Sequence, residues 1–446
     1  MRNAPEGGSG QHTKPMSKTS KNFIILVEMV ERELPAGVLL GSELADRGHT
    51  VWLIEKGRFR KSPASFEPSI VLEKGLTTGC LPRYRAMRAA GHVLAVMCQE
   101  GFTYRSGEDY VERRVWGETL KCVDYLFLWG ERQTKDMEAF LPDVRGYYVT
   151  GSPRFDILHP RFHGCWEAPV AELKRTYGDF VLFTSRFGAV NHFRRSFDQT
   201  VDRRMEIYTG EAVQSAPQRF QFLRQLFLDY MDVVQEIATR FPDQKFIVRP
   251  HPLEDPDTWR SHLADVGNVH VRDGGSPIPW LSAARCVVHS ACTTGIEAYI
   301  LKTPVTEYYP GAIPRSELDP ALPGEVTGAC HSVDELAQWI ETHTSQDVVA
   351  DHNAASDDLI AQHLQNARHP AAYSEMAAAM ENFRGPRPWA KILNKVSRER
   401  VPGKMKKRYI ELDEVNGFLQ SYVDCHVRDR FVPAVVDEVG IKLRVS

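Results

Sequence analysis

The sequence lacks the features of a secreted or membrane-spanning protein. Its eight cysteines are scattered; none forms a C-x-x-C pair, and none groups with histidines at zinc-site spacing. No apolar run is as long as the stretch of about 20 residues that a helix needs to cross a bilayer. Residues 1–21 are polar and lack the apolar core of a signal peptide. We therefore predict a cytoplasmic protein in a reducing compartment, with residues 1–21 as a disordered leader.

A strong excess of one charge is also missing. The 446 residues include 55 Lys and Arg against 58 Asp and Glu, which gives a net charge of -3. Because this balance provides no general attraction to a polyanion, we expect no nucleic-acid partner. A chain of this length exceeds what one hydrophobic core usually serves, so two domains are expected.

Residues 22–165 have the pattern of an open α/β domain. The continuous apolar run NFIILVEM is typical of a strand buried on both faces. Apolar residues at helical spacing follow it, and TVWLIE then reads as a second strand. This βαβ unit predicts a parallel sheet. Further strand-like runs lie at 92–98, 125–130 and 146–151.

A second α/β domain is predicted over residues 176–345. It contains a long amphipathic helix and five strand-like runs, at 180–185, 245–250, 269–273, 286–290 and 304–309. The remaining residues, 346–446, are predicted to be a helical and partly basic segment. Two open α/β domains that face each other form a cleft. Ligands of such sheets bind beyond the carboxyl ends of the strands.

The segment HSACTTGIEAYI places hydroxyl groups where a strand runs into a helix. The amides of the first helical turn and the helix dipole favour an anion there. Ser290, Thr293 and Thr294 add hydroxyl donors, and Gly295 is expected to let a ligand approach the backbone. The alternative is ordinary helix capping, for which Ser and Thr are preferred anyway.

The segment RPHPLED ends another strand of the second domain. Arg249 and His251 emerge at the strand end, and Pro252 restricts the loop. The imidazole can donate a hydrogen bond to a phosphate, a base or a sugar. Most His-Pro pairs are only turns, so the prediction depends on the neighbouring hydroxyl cluster.

Two carboxylates of the first domain are candidates for chemistry. Glu100 follows a strand and precedes a glycine, where it can act as a general base or a nucleophile. Asp156, in TGSPRFD, is expected near the hinge between the domains. The alternatives are a solvated loop residue for Glu100 and a turn with an ion pair for Asp156.

These fragments, in this order, resemble the motifs of bacterial sialyltransferases of the two-domain GT-B type. QEG at 99–101, HP at 251–252 and SACTT at 290–294 match an acidic-acidic-Gly, a His-Pro and a Ser/Thr motif. Gln99 departs from the first motif, which leaves Glu100 as its only acid. The chain is also similar, over roughly residues 25–310, to surface carbohydrate biosynthesis proteins related to Kdo transferases.

The resemblance implies a GT-B fold of two Rossmann-like domains and a glycosyltransferase. The expected donor is a CMP-activated 3-deoxy-ulosonic acid such as Kdo or sialic acid, and the acceptor a surface polysaccharide or lipid-linked glycan. Such a donor requires no divalent metal and no further cofactor. Arg249 or Arg186 would pair with the sugar carboxylate, and Asn191 would reach donor or acceptor. Glu100, His251 and Asp156 are the catalytic candidates.

Other functions stay open on the sequence alone. CDP-glycerol glycerophosphotransferases also have a His-Pro loop and a Ser-rich helix start, but usually Asp where this chain has His289. A catalytically silent GT-B-shaped binding protein and a UDP-sugar epimerase are further alternatives. The basic run 391–409 is either a solvated helix face or a peripheral contact with the inner membrane.

Overall fold

The computed structural model describes residues 20–144, 146–207, 211–313, 315, 319–345 and 353–382, together with three short strands between 431 and 445. The predicted leader, apart from its last two residues, and the basic run 391–409 lie outside the described residues. In the part of the chain that is described, no helix has both the length and the apolarity to cross a membrane.

Six parallel strands form the body of the first sheet, because their apolar residues can be buried on both faces. They lie in the order β2-β1-β3-β4-β5-β6, so the direction of chain winding reverses between β1 and β3. These strands are β1 (Asn22–Val27), β2 (Thr50–Glu55), β3 (Ile70–Glu73), β4 (Val93–Met97), β5 (Tyr125–Leu128) and β6 (Tyr148–Val149).

Helices connect these strands and lead to the second sheet. The first, α1, begins shortly after β1 and buries its apolar face on the sheet. Short 3-10 helices lie at Pro63–Ser65, Thr78–Cys80 and Pro160–Trp166. The α-helices are α1 (Val30–Asp46), α2 (Lys56–Phe59), α3 (Leu81–Ala89), α4 (Gly107–Arg114), α5 (Gly117–Leu120), α6 (Glu131–Phe140), α7 (Pro153–Asp156) and α8 (Glu167–Tyr177).

The second sheet has six parallel strands in the order β12-β11-β10-β7-β8-β9. Winding starts at β7, proceeds outward through β8 and β9, and returns to the other side of β7 at β10. This is the strand order of dinucleotide-binding sheets, whose ligands lie at the reversal point. The strands are β7 (Phe180–Thr184), β8 (Lys245–Arg249), β9 (Val269–Val271), β10 (Cys286–His289), β11 (Val305–Tyr308) and β12 (Ala329–Cys330).

Seven helices are described in this second half of the chain, up to residue 345. The longest, α10, packs Leu226, Val234 and Ile237 on the sheet. The helices are α9 (Phe197–Ile207), α10 (Glu211–Arg240), α11 (Pro256–His262), α12 (Pro277–Ala283), α13 (Thr293–Ile300), α14 (Leu322–Thr327) and α15 (Val333–Ser345).

The C-terminal segment returns to the first half of the molecule. Helices α16 (Ala354–His363) and α17 (Ala372–Glu381) are the helical part of the predicted segment. Three strands that the sequence analysis did not predict follow: β13 (Phe431–Val432), β14 (Val436–Asp437) and β15 (Gly440–Val445). Strand β15 pairs antiparallel with β2 and extends the first sheet at its edge.

Buried residues of both halves form one continuous core. Phe127, Phe155 and Phe162 of the first half share a cluster with Leu182 and Ile296 of the second. The α/β class and the two Rossmann-like sheets are therefore confirmed, whereas the exact domain boundaries stay a prediction.

Candidate active site

The carboxyl ends of β7, β8 and β10 lie side by side in the second sheet. Thr184 ends β7, and its Oγ1 is 2.9 Å from Oγ1 of Thr294, which lies in the helix that follows β10. The loop after β8 reaches the same edge, since Ser185 donates to Glu254. The sheet therefore brings the hydroxyl cluster and the His-Pro loop together at its reversal point.

The amino end of α13 has no side-chain cap. The side chain of Cys292, at the cap position, accepts no hydrogen bond from the first turn, although its backbone carbonyl accepts one from Gly295 N at 3.0 Å. The amides of Thr293 and Thr294 have no acceptor among the described residues. Two outward-facing donors at the positive end of a helix form a site for an anion.

The turn before α13 is strained. Ala291 adopts a φ of 44°, a left-handed conformation that costs a non-glycine residue about 1–2 kcal/mol. Its side chain is buried. Such strain persists only where surrounding packing enforces it, and it gathers at ligand-binding turns.

Gly295 has a different role from the predicted one. A Cβ atom at this position would lie 2.3 Å from Nε2 of His289, so the missing side chain makes room for that buried ring and not for a ligand. The ring is held by a 2.9 Å contact between Nε2 and Thr327 Oγ1. Burial lowers the pKa of His289 to about 3, so the ring is neutral.

Glu254 anchors the His-Pro loop. Its buried carboxylate accepts from Ser185 Oγ at 2.7 Å, Phe187 N at 2.8 Å, Trp259 Nε1 at 2.9 Å and His251 N at 3.1 Å. Burial raises the pKa of this carboxyl group, and the four donors oppose that rise. Glu254 is not among the predicted site residues; it fixes the backbone of the loop through these four bonds.

The geometry of His251 fixes which ring nitrogen carries the proton. Nδ1 accepts from Leu253 N at 3.1 Å, which places the proton of the neutral ring on Nε2. Nε2 has no hydrogen-bond partner among the described residues. Burial lowers the pKa of His251 to about 4, and nearby Arg32 adds to the effect. At neutral pH the ring is therefore uncharged and offers the Nε2–H as a hydrogen-bond donor.

Glu100 lies just after the end of β4, and its side chain is 46% exposed. Arg114 Nη2 is 3.6 Å from its Oε2. Attraction to Arg114, and more weakly to Arg32 and His251, holds the pKa of Glu100 at about 2. His251 belongs to the second sheet and Glu100 to the first, so the two groups lie within electrostatic range of each other across the sheets.

Arg32 is a cleft residue that the sequence analysis missed. It lies in the first turn of α1 and lowers the pKa of both His251 and Arg154 through charge repulsion. Its Nε is buried without a partner among the described residues. The sequence feature that could have indicated Arg32 is the charged stretch ERE, which follows shortly after a buried strand.

The two predicted carboxylate receptors differ in their contacts. Arg186 donates to Ser290 O and to Asp319 Oδ2, the latter at 2.6 Å, so its guanidinium is already paired and its predicted role in binding the sugar is unsupported. Arg249 is 9% exposed and has no carboxylate within ion-pair distance in the described part of the chain. The two arginines therefore separate cleanly into a structural and a binding candidate.

Arg249 is held in place by neutral groups only. Nη2 donates to the carbonyls of Gly274 and Gly275 at 2.8 and 2.9 Å, and the guanidinium lies 4.9 Å from the Trp280 ring centre. Nη1 is buried with no described partner. Burial lowers the pKa of Arg249 to about 10, so the group remains charged at neutral pH. Asp273 and Glu31 attract this cation without forming a direct ion pair with it. Arg249 is therefore a candidate receptor for an anionic ligand.

Asp156 is buried away from the cleft chemistry. It accepts from Asn366 Nδ2 at 2.6 Å and from Tyr373 N at 2.8 Å, and it is fully buried. Burial raises the pKa of this carboxyl group to about 6. These contacts give Asp156 a structural role, which corrects its prediction as a catalytic carboxylate. Its neighbour Arg154 forms a buried ion pair with Glu297 of α13.

The remaining predicted site residues shape the loops. Asn191 donates to Asp255 O at 3.0 Å and accepts from Thr258 Oγ1 at 2.8 Å, so its amide is structural and does not reach a ligand. Pro252 is an exposed turn residue. Ser290 is buried, and its carbonyl accepts from Arg186.

The two sheets, the cleft between them and the returning C-terminal helices define the GT-B fold. No family model and no curated protein sequence matches the chain. Among solved structures, a variant of the wall teichoic acid polymerase TagF is similar, with a TM-score of 0.50 and 11% identity, over 81% of this chain and 88% of that chain.

A second similar structure is the UDP-GlcNAc 2-epimerase of Methanocaldococcus jannaschii. It has a TM-score of 0.46 and 12% identity, and the match covers 75% of this chain and 97% of that chain. The UDP-GlcNAc 2-epimerase of Neisseria meningitidis has a TM-score of 0.46 and 12% identity, and the match covers 80% of this chain and 99% of that chain. The match to TagF, with a TM-score of 0.50 at 11% identity, is a likeness of fold alone.

Proposed function

We propose that the protein is a glycosyltransferase that moves a 3-deoxy-ulosonic acid from a CMP-activated donor to a surface glycan. The observation that carries the proposal is the pairing of two anion sites at one sheet edge. One is the uncapped amino end of α13. The other is the buried, unpaired Nη1 of Arg249. A CMP-ulosonate carries two matching anions, a phosphate and a sugar carboxylate.

The competing donors also carry two anionic groups. CDP-glycerol and UDP-sugars have a diphosphate in place of the phosphate and sugar carboxylate of a CMP-ulosonate. A guanidinium such as that of Arg249 pairs with a phosphate or a carboxylate, so the donor comparison decides between these ligands.

Glu100 is the acceptor-side group in this mechanism. Its pKa of about 2 keeps it ionised at neutral pH. It takes the proton of an acceptor hydroxyl as the oxygen bonds to the anomeric carbon. The bond between that carbon and the phosphate oxygen breaks, and CMP leaves with the electron pair. The amides of Thr293 and Thr294 and the Nε2–H of His251 stabilise the charge that develops on the phosphate.

A donor comparison tests the proposal. The purified protein is incubated with CMP-Kdo, CMP-sialic acid, CDP-glycerol and UDP-GlcNAc, and the released nucleotide is measured. Release of CMP from one of the two CMP-sugars is expected, and Glu100→Gln should suppress it while CMP still binds. Turnover of CDP-glycerol alone would identify a glycerophosphotransferase. Conversion of UDP-GlcNAc alone would identify an epimerase, and binding without any turnover a silent protein.

The acceptor and the location follow from this proposal. A surface polysaccharide or a lipid-linked glycan is the acceptor, and the protein is cytoplasmic with a peripheral contact at the inner membrane. The basic run proposed for that contact, 391–409, lies outside the described residues. Sedimentation with anionic lipid vesicles, compared with neutral vesicles, tests the contact.

A further inference from the structure

A cavity of about 60 Å³ opens at the reversal point of the first sheet, between β1 and β3. Apolar side chains from β1, β3, β4 and α1 form its floor, among them Val27, Leu72 and Met97. Gly37 of α1 keeps part of that floor open. On the order of four water-sized groups fit such a volume, at about 10–15 Å³ each.

The polar rim of this cavity holds charges that are already neutralised. Lys74 pairs with Glu28 and Glu33. Arg154 pairs with Glu297 across the cleft. Because Lys74 and Arg154 each have a carboxylate beside them, a charged ligand in the cavity would find no unpaired charge to bind.

Gln99, an uncharged residue of this rim, has a side-chain atom whose hydrogen bonding is not satisfied. Its side-chain oxygen, Oε1, is buried and has no hydrogen-bond partner among the described residues. A buried acceptor without a donor is costly unless a ligand supplies one. Gln99 directly precedes Glu100 in the chain.

We propose that this cavity binds the acetamido group of an acceptor sugar. The amide N–H of such a group donates to Gln99 Oε1, and its methyl group fills the apolar floor. An acetamido group is uncharged and compact, in keeping with the neutral rim and the cavity size. Binding of an acetamido group here does not depend on the proposed function. Only the identification of the bound sugar as the acceptor rests on that function.

Pairs of methyl glycosides that differ in one group test this site. Methyl N-acetyl-β-D-glucosaminide is compared with methyl β-D-glucoside, and methyl N-acetyl-β-D-galactosaminide with methyl β-D-galactoside. Binding is measured by saturation-transfer NMR and by competition titration. We expect binding of an acetamido sugar with its methyl protons most strongly saturated. Gln99→Leu, which keeps the size and removes the acceptor, should weaken it roughly tenfold.

Two further variants separate the site from general damage. Gly37→Ala adds a methyl group at ordinary contact distance, 3.5 Å from Ile25 Cγ2, and should weaken the acetamido sugar while Tm stays equal or rises. Thr294→Val, at the opposite side of the cleft, should leave glycoside binding unchanged and weaken CMP. Equal binding within each glycoside pair, or absent binding of all four, overturns the assignment. Gln99-dependent acetamido binding without any CMP binding would instead retain this site and refute the proposed donor.

Discussion

At the scale of single residues, Glu100 and His251 hold protonation states that divide the work between them. Attraction to arginines keeps the pKa of Glu100 at about 2, and burial keeps the pKa of His251 at about 4. At neutral pH Glu100 is therefore ionised, and the imidazole of His251 is uncharged with its single proton on Nε2. In the proposed mechanism the carboxylate accepts a proton and the imidazole donates a hydrogen bond.

The protonation state of His251 is open to direct measurement. A histidine whose pKa falls on folding makes the folded protein more stable above pH 6.5 than below, and stability is lost as the pH falls from 6.5 towards 4. In an NMR titration of the Cε1 proton, assigned with His251→Gln, we expect a midpoint near 4. A midpoint near 6.5 would contradict the buried, donor-only imidazole.

The hydroxyl of Thr294 is expected to contact the donor phosphate. Thr294→Val keeps the shape of the side chain and removes its donor. CMP binding should weaken by roughly 1–3 kcal/mol, or about 5- to 150-fold. Calorimetry of CMP measures the effect, and thermal unfolding controls for loss of the contact with Thr184. Unchanged CMP affinity would refute the phosphate assignment.

Arg249 is proposed to bind the sugar carboxylate and not the nucleotide. Arg249→Met removes the guanidinium and keeps the apolar stem, so CMP affinity should change little. Affinity for the CMP-sugar should fall by roughly 1.5–3 kcal/mol, the value of hydrogen bonds to charged groups. Competition titrations with CMP and CMP-Kdo measure the two effects, and Arg249→Lys tests whether charge alone suffices. Equal losses for both ligands would place Arg249 at the nucleotide.

At the scale of elements, the returning helices α16 and α17 depend on one buried carboxylate. Asp156 accepts from Asn366, which lies between the two helices, and from the amide of Tyr373 at the start of α17. A Cβ atom on Gly151 would lie 1.8 Å from Asn366 Oδ1, so the close approach requires glycine at this position. The positive φ of 74° at Gly151 adds to that requirement.

Removing this carboxylate should loosen the C-terminal helices. Asp156→Ala leaves two buried donors unsatisfied and should lower the free energy of unfolding by about 2–4 kcal/mol. Proteolysis within residues 353–382 should become faster, as followed by mass spectrometry, with Thr294→Val as the unaffected control. Intact helices combined with lost activity would instead return Asp156 to the catalytic candidates.

The elements near the site were predictable where local pattern dominates. Apolar runs predicted β1, β4, β7, β8 and β10, and with them the loops that carry Glu100, His251 and Thr294. The four residues of β3 were missed, although this strand lies in the middle of the first sheet. In β3 the apolar run ends after three residues, at Glu73, whereas the equally short strand β5 lies in a longer apolar run.

At the scale of the whole molecule, contacts between distant segments join the two halves. Arg154 and Glu297 are separated by 143 residues, and Asp156 and Asn366 by 210. No local pattern predicts such pairs, which explains why Asp156, Arg186 and Asn191 were assigned to a ligand. A polar side chain at a strand end can serve either a ligand or a neighbouring loop, and only the folded chain distinguishes the two.

The cleft itself depends on this long-range assembly. Arg154 ties α7 to α13, the helix whose amino end is the proposed phosphate site. Arg32 and Glu100 then face His251 from the first half. Packing between the two halves therefore brings together the proposed anion sites, at the edge of the second sheet, and the proposed base Glu100, at the edge of the first.

A crystal structure with bound CMP tests the central claim most directly. We expect the phosphate to accept hydrogen bonds from the amides of Thr293 and Thr294 and from His251 Nε2. A phosphate bound elsewhere, or a first turn of α13 that stays unoccupied while CMP lies outside the cleft, would contradict the account.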